Sequence, residues 1–406
     1  MEVALARWLV SPEAEPPLLW ARTLDDPSSL AAGTALRRTL SADQAAAVLD
    51  LEYLRRRAVS KLGDLASKLF LTHDGLEQAT RWAVALWRAE RLVQARIARV
   101  VDAGCGLGID ALACQRAGLA VIGVERDPVV AIFAEANLLQ DRQFPSQSPT
   151  VLTSAIEDLD LTDWLIDEQT AIFLDPARRT PAGRSWQIGD LSPSWEFVSA
   201  LTKRSRGWVV AKLAPGFPRN LLPTRANVAW VSERGDLVET SLWSGRSTGQ
   251  REAVVLADQP HTLTAGGSLP PLGPIGAYLY EPDPAIIRAQ AIGHLTWLLQ
   301  AHPLAPNIAY LSGDELVETP FATAFAVVEV LDYSEKALRA WAKDHQIGVM
   351  EIKVRGLDID PAALRRRLQL KGPNSTTVIL TPTPGGSKMI VASRLVGGED
   401  GHSASR

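Results

Sequence analysis

Apolar and polar positions alternate at helical spacing over Asp43–Ala58 and again over Arg81–Arg99, with Thr80 placed to cap the second run. This predicts a mostly helical stretch over residues 1–98. From residue 99 the pattern changes to short β-rich runs at Ala98–Asp102, Ala120–Glu125, Thr150–Ser154, Ala171–Asp175, Gly207–Leu213 and Val228–Ser232, most of them separated by helical stretches. Strand–helix alternation of this kind predicts a parallel sheet with helices on both faces, a Rossmann-like α/β fold. Glu233–Asp236 reads as a turn, after which Leu237–Trp243 returns antiparallel. Asp258–Gly276 is rich in Pro, Gly and Ser and reads as a linker. Beyond it, small α+β pieces are expected: Tyr278–Tyr280, helical Asp283–Ala301 and Ile308–Leu311, then Phe325–Leu331, helix Ser334–His345, Gly348–Lys353, helix Pro361–Leu370 and Thr377–Thr381. The expected organisation is 1–98 helical, 99–257 core, 276–324 and 325–396 as two small C-terminal domains, and 397–406 as a disordered tail.

Composition narrows the class. The 406 residues are 46% hydrophobic and 22% charged, enough for a sizeable core and too apolar for a disordered chain. No apolar run is long enough for a membrane span, and the first twenty residues lack the pattern of a signal peptide, so a cytoplasmic protein with no membrane partner is expected. Cys105 and Cys114 are the only cysteines, which excludes a disulfide framework and a four-cysteine metal site; no metal is expected. The net charge of -4 is not the overall basicity of many nucleic-acid binders. Locally, Glu351–Arg394 carries eight bases against three acids. A basic face on a small domain suits RNA phosphates, although the consecutive Arg365–Arg367 cannot all face one way on a helix.

The chemistry concentrates at predicted strand ends. Val100–Gly108 reads VVDAGCGLG, placing Gly104, Gly106 and Gly108 between a strand and a helix. Glycines let a loop turn tightly and approach a ligand without a Cβ. Seventeen residues after Gly108, Glu125 ends the second strand, where an acid can accept from both hydroxyls of a ribose. The spacing G-x-G-x-G differs from the dinucleotide fingerprint G-x-G-x-x-G, and no G-K-[ST] follows. Asp102, two residues ahead of Gly104, suits an ammonium and would repel a pyrophosphate. S-adenosylmethionine is therefore the expected cofactor, with a dinucleotide or an unliganded turn as the alternatives. Asp158, after the third strand, is the candidate for the adenine amino group, or else a solvated helix cap. Cys105 reads as a packing residue.

The fourth strand runs into Asp175-Pro176-Ala177-Arg178-Arg179. Methyltransferases acting on exocyclic amines carry [DN]-P-P-[YFW] there, so Asp175 and Pro176 are candidates for orienting a target amine. Ala177 replaces the second proline and Arg178 the aromatic; Arg178 could stack on a base or grip a phosphate, or belong to a surface pair. Lys212 at the fifth strand could face the crevice or solvent. DAGCGLGIDA, GVERDP and LDPARR together resemble bacterial class I methyltransferases with a C-terminal THUMP-like domain, and the core is similar to the trimethylguanosine synthase family. LTHDGLEQAT with RAERL (Leu71–Thr80, Arg88–Leu92) is similar to that family's pre-core helices. GAYLYEPDPAIIRA (Gly276–Ala289) and AYLSGD (Ala309–Asp314) resemble its ferredoxin-like insert, and MEIKVRGLDIDPAALRRRLQLKG (Met350–Gly372) its THUMP-like segment. The resemblance implies S-adenosylmethionine dependence and an RNA substrate. A small-molecule or protein methyltransferase and a non-catalytic RNA binder are the competing readings; nucleotide, RNA class and oligomeric state stay open.

Overall fold

The computed structural model describes residues 1–140, 150–178 and 188–395, with the side chains of Ala177 and Arg178 left out. The expected tail 397–406 lies outside them. Contacts divide the chain into two compact units, one of residues 1–228 and 239–249, the other of 229–238 and 250–406.

The first unit is built on a central sheet. Its strands are β1 (Arg99–Ala103), β2 (Ala120–Glu125), β3 (Thr150–Thr153), β4 (Thr170–Leu174) and β5 (Trp208–Leu213). They are followed along the chain by β6 (Asn227–Glu233) and β7 (Asp236–Ser244), a hairpin whose turn residues Arg234 and Gly235 both have positive φ, 53° and 80°, and whose residues 229–238 belong to the second unit. Two left-handed positions match the right-handed twist of the flanking strands. Within this unit the order is β7-β5-β4-β1-β2-β3, all parallel except β7, which runs antiparallel to β5 from Val209↔Ser244 to Leu213↔Thr240. The strand order reverses between β1 and β4, and a crevice opens there beyond the C-terminal strand ends. Val100, Val101, Ile172 and Val209 are at most 1% exposed, as expected for strands covered on both faces.

The N-terminal residues form helices Val3–Leu9, Glu15–Arg22, Leu30–Leu36 and Ala42–Leu62, the last opened by a capping box of Ser41 and Gln44. Buried Asn137, on helix Pro128–Leu139, ties them to the sheet. Its Oδ1 accepts from the Phe70 N–H at 2.7 Å, and its Nδ2 donates to Phe70 O and Leu107 O at 3.0 and 2.9 Å. Helix Trp82–Gln94 is entered through Arg81 without a side-chain cap. Thr80, expected as the cap, is instead buried one position earlier and used differently.

The second unit holds the hairpin β8 (Arg251–Leu256) and β9 (Pro260–Thr264), paired from Glu252↔Thr264 to Leu256↔Pro260. The expected linker therefore begins in the turn of this hairpin and includes a strand whose exposed and half-buried positions alternate. A seven-stranded sheet follows: β10 (Tyr278–Pro282), β11 (His302–Pro303), β12 (Leu311–Gly313), β13 (Ala322–Asp332), β14 (Ile347–Val354), β15 (Asn374–Thr383) and β16 (Gly386–Arg394), in the order β11-β12-β10-β13-β16-β15-β14. β10 pairs with β13 from Tyr278↔Ala326 to Pro282↔Ala322, so the two small C-terminal pieces share one sheet. Leu338, Met350, Leu364 and Val378 fill one face and Leu279, Tyr310, Phe325 and Ile390 the other. The expected helix Asp283–Ala301 breaks into Pro284–Ala289 and Ile292–Leu299 where Gln290 turns left-handed.

Candidate functional site

The β1 strand delivers its last residues into a loop of three left-handed glycines. Gly104, Gly106 and Gly108 have φ of 86°, 54° and 77°, a region costly for residues with a Cβ. A Cβ on Gly104 or Gly106 would meet nothing within 4 Å, so the loop backbone borders open space. Gly108 differs: it precedes helix Ile109–Arg116, and a Cβ there would touch Ala134 at 3.5 Å. The loop is pinned from β2, because Gly104 and Cys105 N–H donate to Val124 O at 2.8 and 2.9 Å. At the tip of β2 the Glu125 carboxylate accepts from Gly106 N–H at 3.0 Å and from Asp127 N–H at 2.9 Å.

A cleft of about 620 Å³ opens over this loop. Asp102, Glu125, Glu157, Phe173, Asp175 and Lys212 line it, with Gln78 and Thr80 from the segment ahead of β1. Asp102 is 1% exposed, and among the described residues its Oδ2 has no hydrogen-bond partner. Burial, and then the nearby charges of Asp110 and Asp175, push its carboxyl well above the usual range. The hydroxyl of Thr80, 5% exposed, is likewise without a partner among the described residues. A native fold rarely leaves two such atoms unsatisfied beside one cleft unless something else completes them. The Cys105 thiol is pushed up by burial and by the charges of Asp102 and Glu125, so it stays protonated at neutral pH and packs rather than attacks.

Two charge assemblies border the cleft. Lys212 on β5 donates to Asp175 Oδ2 at 2.6 Å and to Gln78 O at 3.4 Å. Burial works against its charge, but Asp175 and more distant carboxylates outweigh burial, and its pKa is raised. Behind Phe173, Arg88 is 1% exposed. It bonds Asp110 through one nitrogen, and the other lies 2.8 and 2.6 Å from the two Glu239 oxygens. The guanidinium carbon sits 4.5 Å from the Phe173 ring centroid. The paired carboxylates overcome the burial penalty and hold Arg88 cationic.

Of the candidate residues, Asp102, Gly104, Gly106, Glu125 and Asp175 come together around this cleft. Gly108 and Pro176 flank it without lining it. Asp158 is exposed and outside the lining, whereas its neighbour Glu157 is inside. Arg178 pairs through its backbone with Leu191 in a two-residue ladder; its side chain, and all of Arg179, lie outside the described residues. Sequence reading gave none of Thr80, Gln78 and Arg88 a place at the site, Thr80 being expected only as a helix cap, although all three fall in the pre-core segments that carry the resemblance.

Two proteins from two strains of Mycobacterium tuberculosis, each described as an uncharacterized S-adenosylmethionine-dependent methyltransferase, are 33% identical to this chain over 362 residues, covering 85% of it and 95% of each relative. The chain belongs to the S-adenosylmethionine-dependent methyltransferases. Its fold matches a crystal structure from Porphyromonas gingivalis provisionally assigned as a methyltransferase, with a TM-score of 0.77, 22% identity and coverage of 94% of this chain and 98% of that one. Residues 322–394 match the family model described as THUMP domain-like.

The cleft of this methyltransferase has features that fit its cofactor: a buried carboxylate oxygen without a partner, a glycine loop with open faces, and an acid at the tip of β2. Among the described residues no group of three or more His, Cys, Asp and Glu could hold a metal, and no helix is long and apolar enough to cross a membrane. The basic residues of the THUMP-like segment are less available than their sequence balance implies. Lys353 and Arg355 pair with Glu281, Arg367 with Glu335, Lys388 with Asp332 and Arg394 with Glu351. Arg365 donates to Met350 O. Three of the four acids that take these cations lie outside the basic window. The predicted excess of charge is therefore largely neutralised locally.

Proposed function

We propose that this methyltransferase modifies an exocyclic amine of an RNA base and that its THUMP-like domain, residues 325–396, recruits the RNA. The observation that carries the reading is the position of Asp175. It directly follows β4 beside the strand-order reversal and lines the same cleft as Asp102 and the glycine loop. Lys212 takes its Oδ2, and among the described residues Oδ1 has no hydrogen-bond partner. That oxygen can accept from a target N–H and direct the nitrogen lone pair into the cleft.

In this reading Asp102 receives the ammonium of the cofactor, Gly104 and Gly106 lie against it, and Glu125 accepts from its ribose. Glu157 replaces Asp158 as the acid nearest the adenine side, because only Glu157 lines the cleft. When bound, S-adenosylmethionine supplies an electrophilic methyl group. The chain contributes position and charge: Lys212 holds the Asp175 carboxylate through one oxygen, and positioning of this type supplies much of the rate in transfer reactions. Buried, free Cys105 and Cys114 fit a reducing, cytoplasmic setting.

The test is radiolabelled methyl transfer to total RNA by the full chain, followed by mass spectrometry of modified nucleosides in a deletion strain against its parent. A base methylated on an exocyclic nitrogen and missing from the deletion strain is the expected result. Label appearing in protein or small molecules, with RNA unlabelled, would replace the RNA reading with its competitor.

A further inference from the structure

A second cleft, of about 720 Å³, lies between the N-terminal helices Val3–Leu9 and Glu15–Arg22 and the helix Pro128–Leu139. It shares no lining residue with the methyl-transfer cleft. Its charged lining consists of Arg7, Arg22, Arg55 and Lys68 against Glu15 and Glu135, and among the described residues neither acid comes within 4 Å of any of these cations. Four cations face two carboxylates that do not pair with them.

Arg55 is the unusual member. It is 3% exposed in the middle of helix Ala42–Leu62. Its Nε donates to Leu69 O at 2.8 Å, and its guanidinium carbon lies 5.6 Å from the Phe70 centroid. Its Nη1 has no partner among the described residues. Glu52, one turn earlier, pairs with Arg56 at 3.2 Å instead. Burial and then the neighbouring charge of Arg22 lower the Arg55 pKa to about 10. The charge of Glu52 offsets part of this without bonding the Arg55 guanidinium, and a buried guanidinium with no bonded carboxylate is costly to keep unless an anion completes it. Its planar fork matches the oxygens of a phosphate group. Leu18, Leu19 and Ile132 supply an apolar wall beside the cations, suited to a sugar or base attached to that phosphate.

We propose that this cleft is a second binding site, one that takes a phosphate group on Arg55, Arg22 and Lys68. The source is the backbone of a nucleic acid or a free phosphate compound, and both present the same oxygens. The reading does not depend on the identity of the methylated substrate.

Full-length protein is titrated with inorganic phosphate and, separately, with a hexauridylate, against potassium chloride at matched ionic strength. Binding is read by thermal shift and by ³¹P line broadening. Phosphate is expected to raise Tm beyond the chloride control. Arg55→Met should lose that rise while its ligand-free Tm stays level or increases. The exposed pair Arg22→Gln and Lys68→Gln should weaken phosphate binding at least fivefold and leave S-adenosylmethionine binding unchanged. Displacement of phosphate by hexauridylate identifies a polynucleotide source; failure to displace it identifies a free phosphate compound. No phosphate effect on the unmodified protein, or equal effects on it and on the Arg22/Lys68 variant, overturns the proposal. The double variant decides alone if Arg55→Met does not fold.

Discussion

The ammonium of Lys212 on β5 lies 2.6 Å from Oδ2 of Asp175, the residue after β4, so the carboxylate beside the expected methyl-transfer position is held from one side, and among the described residues nothing hydrogen-bonds its other oxygen. A lone acid at a strand tip would be free to rotate. This one has a fixed orientation, with a single oxygen to offer.

Asp175→Ala is expected to slow methyl transfer by about 100-fold or more, the usual loss of one preorganised catalytic group. Cofactor affinity should change little, because the lost hydrogen bond matters most in the transition state. Asp175→Asn should retain more activity than the alanine variant, since its amide oxygen still accepts. Single-turnover assays beside calorimetry separate the two effects, and a variant that folds but no longer binds cofactor would move Asp175 to the cofactor side.

On the proposed function Asp102 sets stability against binding. Its folded pKa is raised, so between the ordinary carboxylate pKa and the raised value the native state holds a proton that the unfolded state has lost. Stability of the ligand-free protein should therefore fall as pH rises through that window, with the full penalty present above it. Asp102→Asn should flatten this dependence and raise Tm at neutral pH while weakening S-adenosylmethionine binding by about 1.5–3 kcal/mol, the scale of a hydrogen bond to a charged group. Melting curves across pH and calorimetry at one pH read the two sides; unchanged affinity in the asparagine variant would remove Asp102 from the cofactor site.

On the proposed function Glu125 has two tasks in the same place. Removing it takes away an acceptor for ribose hydroxyls and also releases the N–H groups of Gly106 and Asp127. Glu125→Ala is expected to cost about 1–3 kcal/mol of cofactor binding, the scale of unpaired polar groups. Glu125→Gln, which keeps one acceptor oxygen, should lose less. Equal losses for the two variants would mean that charge alone matters.

The glycine loop, Asp102, Glu125 and Asp175 were legible in the sequence because each sits at the end of a run whose periodicity marks a strand, and parallel strands bring such ends together. The relations between segments were not legible. Arg88 and Glu239 are 151 positions apart, and nothing local to either announces the pair. Thr80 has the composition of a helix cap, and only the path of the chain shows it buried against the cleft. Asp158 was the acid expected beside the cleft; its neighbour Glu157 lines it instead, a difference of one residue of register in a short turn that composition does not resolve. The edge of the linker was misread because Pro260–Thr264 carries turn-forming neighbours, while its pairing with Arg251–Leu256 is a tertiary fact. Charge counting along Glu351–Arg394 overstated the basic face, since Glu281, Glu335 and Asp332 reach it from outside the window.

Arg88→Met should destabilise the protein by about 3–5 kcal/mol, because it leaves Asp110 and Glu239 buried without their cation. Chemical denaturation measures it. Adding Asp110→Asn and Glu239→Gln to the same chain should restore part of the loss, as the uncompensated charges go with it.

The chain enters the second unit at residue 229, returns to the first at 239, and leaves again after 249. During synthesis the first unit therefore cannot be finished when its fifth parallel strand emerges from the ribosome. Glu239, the second carboxylate of the Arg88 assembly, is still to come, and so is the antiparallel partner of β5. Domains that form as units during translation do so when their last contributing segment is available. For this protein that moment comes only after the ten residues 229–238, which belong to the other unit, have already been made.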